Sequence, residues 1–213
     1  MIQQLPADEF HHPPQPDAVS WNVGSRSSGF YLPLVRTLMQ EFDGTASGQS
    51  FVFTSTSQGE GVSVVIARIA QELASTSGEK VLIAMTGAID NFVPDPGELA
   101  AEPVIRESNG VFRLRPPTTD GTATRVERFE LLRQLTQLFP YVLIDAPALA
   151  VSAEALQFGV KSQGIVLVSA SGQIRRNRLL QTKTLIEIAN VPLLGCALNR
   201  RTYPIPDFLY KRL

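Results

Sequence analysis

Phe51-Val52-Phe53-Thr54-Ser55, running into Thr56-Ser57-Gln58-Gly59-Glu60-Gly61-Val62-Ser63, is the stretch that decides the fold. The first five residues have the aromatic and β-branched composition of a buried strand. Two glycines then let the backbone curl. From Ser63 to about Ser75, Val65, Ile66, Ile69, Ala70 and Leu73 recur at helical spacing. A strand, a glycine-rich turn and a helix in that order gather backbone N–H groups at a helix N-terminus, where phosphate binds well. In loops that use this arrangement, a lysine after the last glycine neutralises the phosphate oxygens and the next Ser or Thr holds Mg²⁺. Here Val62 stands at the lysine position and Ser63 at the hydroxyl position. Taken alone, Gly59 and Gly61 need do no more than let the chain turn.

Outward from this stretch the same alternation continues. Upstream, Leu32 to Phe42 reads as a short helix ended by Asp43-Gly44. Downstream, Gly78 closes the helix, Lys80 to Met85 is a second strand, and a loop runs from Gly87 to about Pro103. Val111 to Leu114 is a short strand stopped by Pro116-Pro117. A helix spans about Thr124 to Phe139 with Phe129, Leu132, Leu135 and Leu138 on one side. Then come strand Tyr141 to Asp145, a helix near Ser152 to Phe158, strand Gly164 to Ser169, a helix from about Arg175 to Ala189, and strand Leu193 to Leu198. Near-continuous apolar strands separated by amphipathic helices predict an α/β three-layer sandwich with a mostly parallel sheet and right-handed crossovers. Residues 1–28, rich in Pro, Gln, Ser and Gly, read as a flexible leader; 29–200 form one domain, and 201–213 form a C-terminal tail.

Composition narrows the function classes. The 213 residues are 44% hydrophobic, enough for a layered core, and 19 basic against 20 acidic side chains leave a formal charge of −1. No global field draws such a chain to nucleic acid or anionic lipid. The lone Cys196 lies in the apolar run Leu193 to Leu198 and reads as a buried core thiol; a cytoplasmic setting without disulfides follows. His11-His12 has no further metal ligand nearby. No apolar run approaches the roughly 18 residues that cross a bilayer. Membrane recruitment would therefore need a partner.

Ser57-Gln58-Gly59-Glu60-Gly61-Val62-Ser63 resembles the "S-x-P-G-E-G-K-S" loop of the bacterial tyrosine kinases of capsule and exopolysaccharide synthesis, within the MinD-like and ParA-like P-loop ATPases. The resemblance covers most of residues 30 to 200. Val142 to Pro147 is similar to that family's "hydrophobic-I-D-T-P-P" strand, Gly164 to Val168 to the next strand, and Leu194 to Asn199 to its "L-G-V-V-L-N" strand. It implies a P-loop NTPase architecture, Ser63 and Asp145 on the metal, and Asn199 near the nucleotide base. Arg36-Thr37-Leu38 is similar to part of an "E-x-x-R-T-L-R" entry helix that helps assemble rings, so a homo-oligomer is implied.

Departures from the pattern point the other way. Ala84 and Thr86 stand where the family's "L-L-I-D-x-D-x-R" motif has two carboxylates, and Gln163 stands where an aspartate commonly precedes the glycine. Pro33 and Met39 replace the acid and second arginine of the entry helix, and the tyrosine cluster is reduced to Tyr203 and Tyr210. One charge-assisted contact contributes about 1.5–3 kcal/mol, so loss of the lysine weakens ATP binding roughly ten- to a hundredfold. Any Mg-ATP or Mg-ADP binding is expected to be weak, and turnover is expected to fail because phosphoryl transfer rests on placed cations. The expectation is a non-catalytic relative of these kinases, a scaffold or regulator beside a membrane chain-length and export partner. Two alternatives stay open: an ATP-dependent kinase or switch using Ser63 and Asp145, and a dimerisation module whose cleft is filled by side chains such as Val62. Arg175, Arg176 and Arg178 sit at a helix start against the macrodipole. Such a cluster could bind an acidic partner or phosphate, and with Arg36 it is a candidate for contact with a partner.

Overall fold

A computed structural model of the chain describes residues 31–40, 48–90, 104–114, 125–172 and 174–200. Along it run α1 (Leu32–Gln40), β1 (Gln49–Ser55), α2 (Val62–Ser77), β2 (Val81–Met85), α3 (Thr86–Asp90), β3 (Val104–Ser108), β4 (Val111–Leu114), α4 (Arg125–Leu138), β5 (Tyr141–Asp145), α5 (Glu154–Gly159), β6 (Gly164–Ala170), α6 (Arg176–Ile188) and β7 (Leu193–Asn199). The seven strands form one sheet in the order β3-β4-β2-β5-β1-β6-β7. All neighbours are parallel except β3 and β4, which form an antiparallel hairpin at one edge.

Every residue of β1 and β6 is buried, as parallel strands covered on both faces must be. Their side chains split by alternation into two cores. Phe51, Phe53, Leu143, Val166 and Val168 pack under α1 and α2 through Val35, Leu38, Val65, Ile66 and Ile69. On the other face, Val52, Leu82, Val142, Ile144 and Ile165 pack with residues of α3, α4, α5 and α6, among them Ile89, Leu132, Phe158 and Ile186. The three layers anticipated from the sequence are therefore present. Gly78 ends α2 in the left-handed region (φ 74°), its N–H donating to Ala74 O, a conformation glycine adopts without a Cβ penalty.

Four local expectations need correction. The loop anticipated from Gly87 begins instead as the short helix α3, whose Ala88 and Ile89 are buried; its remainder, 91–103, lies outside the described residues. An unanticipated strand, β3, pairs with β4 across Asn109-Gly110. On α4, Leu138 is exposed and Leu131 takes its place in the core. Cys196 is exposed, because β7 is the sheet's outermost strand and its side chains on the α6 face are incompletely covered. The leader 1–28, Asp43-Gly44, Pro116-Pro117 and the tail with Tyr203 and Tyr210 also lie outside the described residues. Among the described residues, no helix is long and apolar enough to cross a membrane.

Candidate phosphate-loop site

From the centrally placed β1, the chain crosses to β2 on one side, while β5 leads through α5 to β6 on the other. Crevices at such a switch point, beyond the strands' carboxyl ends, are where α/β sheets bind ligands. The loop after β1 sits there. It is laced to its neighbours: Thr54 Oγ1 donates to Pro147 O at 2.6 Å, Leu149 N to Ser55 O at 2.8 Å and Ser55 Oγ to Ser57 O at 2.8 Å.

Glu60 is the pin of this loop. It is 2% exposed; one carboxylate oxygen accepts from Ser57 N at 2.6 Å and the other from Ala170 N at 3.0 Å, at the end of β6. Its backbone oxygen accepts from Asn199 Nδ2 at 2.8 Å, at the end of β7. The loop, β6 and β7 are thus fastened together through one residue. Gly61 lies in the left-handed region at φ 85°, and a Cβ there would collide with Asn199 Nδ2; only glycine meets both demands. Gly61 caps α2 without any side-chain hydrogen bond, and the first-turn amides of α2 have no carbonyl one turn back. Those amides are left for an acceptor from outside the helix.

The side chains around it are uneven. Ser63 is exposed in the first turn of α2, and its hydroxyl lies near enough to Asp145 to favour the charged carboxylate; Asp145 itself lies between Phe53 of β1 and Met85 of β2 in the parallel register. Val62 is half-buried and packs against the core beneath α1 and α2. Ala84 and Thr86 are buried at the end of β2. Gln58 and Ser57 line the open side of the loop, and Asn199, 7% exposed, is occupied by its bonds to Glu60 and to Arg200 N.

Burial pushes the Asp145 carboxyl above the ordinary carboxylate range, against the opposing pull of the Ser63 hydrogen bond and of the Arg113 charge. A carboxyl raised on folding adds stability below its unfolded pKa, and that stability is lost as pH climbs through the folded pKa. Asp145→Asn, which keeps an acceptor for Ser63, is therefore expected to gain stability relative to the parent as pH rises from the acid range towards neutrality. Urea denaturation at stepped pH measures this; a difference independent of pH would contradict it.

The arginines divide into two groups. Arg175 is the N-cap of α6, and Arg176 and Arg178 occupy its first turn, all exposed. Arg175 and Arg178 face the loop across a cavity of about 450 Å³, lined also by Ser57, Gln58, Glu60 and Ile174. Arg176 is not among its walls. Arg36 is exposed on α1, which packs in the opposite layer, so the fold does not bring it to the α6 cluster. Sequence reasoning missed three contributors: Ala170 as the anchor of Glu60, Thr56, and Arg113 as the cation influencing Asp145. Ala170 and Arg113 act on residues far away in the chain, and the burial of the Thr56 side chain comes from the fold, so no local pattern marks them.

No protein-family model matches the chain. The tyrosine-protein kinase CpsD of Streptococcus agalactiae is 25% identical over 193 residues, covering 80% of this chain and 82% of CpsD. The crystal structure of the chimerical protein CapA2B2 superposes with a TM-score of 0.67 at 22% identity, covering 87% of this chain and 89% of that one. The kinase domain of the Escherichia coli tyrosine kinase ETK gives 0.60 at 16% identity, covering 80% of this chain and 75% of that one. MinD of Aquifex aeolicus gives 0.54 at 18% identity over 78% of this chain and 73% of MinD, so the fold is that of the MinD-type ATPases.

Proposed function

Taking the chain as a relative of the bacterial tyrosine kinases of capsule and exopolysaccharide synthesis, we propose that it works without phosphoryl transfer. It acts as a scaffold or regulator of polysaccharide synthesis and export, held at the inner membrane by a protein of that machinery. The observation that carries this is Val62: where the cradle would present an ammonium group, the chain presents an isopropyl group packed on the core. The nearby Ala84 and Thr86 offer no carboxylate to a metal.

Mg-ATP in such a fold supplies a transferable phosphoryl group and a metal that offsets its charge. Ser63, Asp145 and the α2 amides fit part of that ligand. The side chains at 62, 84 and 86 do not, so no transfer step is assigned. Instead, the residues present do structural work: Glu60 and Asn199 fix the loop to β6 and β7, leaving a rigid surface for a partner.

The intact Ser63–Asp145 pair favours a second reading, an ATP-responsive switch that binds weakly and does not turn over. Prolonged incubation with Mg-ATP, followed by intact-mass analysis and phosphate release, tests the main proposal. The expected result is an unmodified chain, with no phosphate on Tyr203 or Tyr210 and release at the background rate. Stoichiometric phosphotyrosine, or steady phosphate release abolished by Asp145→Asn, would overturn it.

A further inference from the structure

Opposite the cradle's missing cation, on the outer side of the loop, two arginines stand beside open space. The cavity of about 450 Å³ between the loop and the start of α6 adjoins a second of about 360 Å³. Ser57 and Arg178 line both, so the two form one groove. It shares Ser57, Gln58 and Glu60 with the loop, but neither Ser63 nor Asp145 is among its walls, so it does not reach the side of the loop where those two lie.

Three features suit this groove to an anion. Arg175 and Arg178 both line it from the N-terminus of α6, a place where the macrodipole disfavours cations and favours anions. No acidic residue occupies that first turn, and no side chain caps it. Thr56 lines the adjoining cavity at 6% exposure, and its hydroxyl has no hydrogen-bond partner. A buried hydroxyl without a partner costs free energy, and a ligand oxygen would recover it by drawing that hydroxyl, which now has under 1 Å² of accessible surface, towards the groove.

One wall carries the opposite charge, that of Glu60. Both of its carboxylate oxygens are already bound to backbone N–H groups, and the side chain is almost wholly buried. The planar guanidinium groups are suited to bidentate recognition of phosphate oxygens.

We propose that this outer groove is a second anion site, which binds a phosphate or diphosphate group between Arg175, Arg178 and the Thr56–Ser57 wall of the loop. The site does not depend on whether the inner cradle binds nucleotide.

Calorimetric titration of the full chain with pyrophosphate, in EDTA so that no metal engages Ser63 and Asp145, tests this. Saturable binding is expected, weakened roughly ten- to a hundredfold in Arg175→Ala/Arg178→Ala, the change expected on losing a charge-assisted contact. Thr56→Val is expected to weaken binding without lowering the melting temperature of the free protein, since it removes only an unpartnered hydroxyl. Arg176→Ala, an exposed cation outside the groove, and Ser63→Ala are each expected to change affinity by no more than about twofold. ADP in place of pyrophosphate separates the sources. Equal affinity assigns the site to the phosphate group alone; tighter ADP binding, still lost in the double arginine variant, assigns it to a nucleotide diphosphate. Absence of wild-type binding, unchanged affinity in the double arginine or Thr56 variant, or a large loss in Ser63→Ala would overturn the site.

Discussion

Glu60→Ala is expected to destabilise the chain by about 1–5 kcal/mol, because it strands two backbone donors that cost about 1–3 kcal/mol each when left buried and unpaired. Those donors are Ser57 N–H and Ala170 N–H, which now meet the two carboxylate oxygens at 2.6 and 3.0 Å. Their separation in sequence matters as much as their number: one bond shapes the loop, and the other ties it to β6. Removing a buried carboxylate also relieves its desolvation, which offsets part of the loss and sets the lower bound. Glu60→Gln keeps one acceptor but turns an amide NH₂ towards the other donor, so it should fall between the alanine variant and the parent. Urea midpoints at constant m-value report the difference. A loss for Glu60→Ala below about 1 kcal/mol would show that these bonds contribute nothing net to the fold.

Val62→Lys is expected to strengthen Mg-ATP binding roughly ten- to a hundredfold, the worth of one contact to a charged group. On the proposed reading, Ser63, Asp145 and the first-turn amides of α2 would meet the nucleotide, and the lysine adds the charge that the loop lacks. The structural cost should be small, because Val62 is only half-buried at the edge of the core and a lysine stem can lie over the same apolar surface. A cation at a helix N-terminus costs about 0.3–1 kcal/mol without ligand, so the free variant should melt slightly lower and recover with nucleotide. Turnover should not return, since Ala84 and Thr86 remain. Calorimetry and melting curves with and without Mg-ATP measure both effects; a variant that folds but binds no better than the parent would show that the cradle is unfit for reasons other than charge.

The order of strands and helices was legible because parallel strands buried on both faces carry short apolar runs, as 51–53 of β1, 81–84 of β2, 141–144 of β5 and 165–168 of β6 do. Gly78 and the loop glycines were legible for a similar reason, since positive φ at Gly59, Gly61 and Gly78 restricts the residue type. What escaped was whatever depends on position at an edge. Cys196 and Leu138 belong to apolar patterns and yet are exposed, because β7 has no neighbour on one side and because α4 turns Leu131, Leu132 and Leu135, not Leu138, to the core. β3 escaped since its residues are mostly exposed and charged or polar, including Arg106, Glu107 and Ser108, the composition of a protected edge. At the site, the residue types of the loop were readable but their bonding was not. Glu60 looked like one more loop residue, and only the fold brings Ala170, 110 residues away, against it.

Titration of the unmodified chain with Mg-ATP and Mg-ADP, with Arg175→Ala/Arg178→Ala alongside to subtract the outer groove, bears most directly on the claim that the inner cradle kept its shape and lost its cation. Heat beyond that of the groove is expected only at millimolar nucleotide. A micromolar dissociation constant that survives the double arginine variant and disappears in Ser63→Ala would contradict the claim.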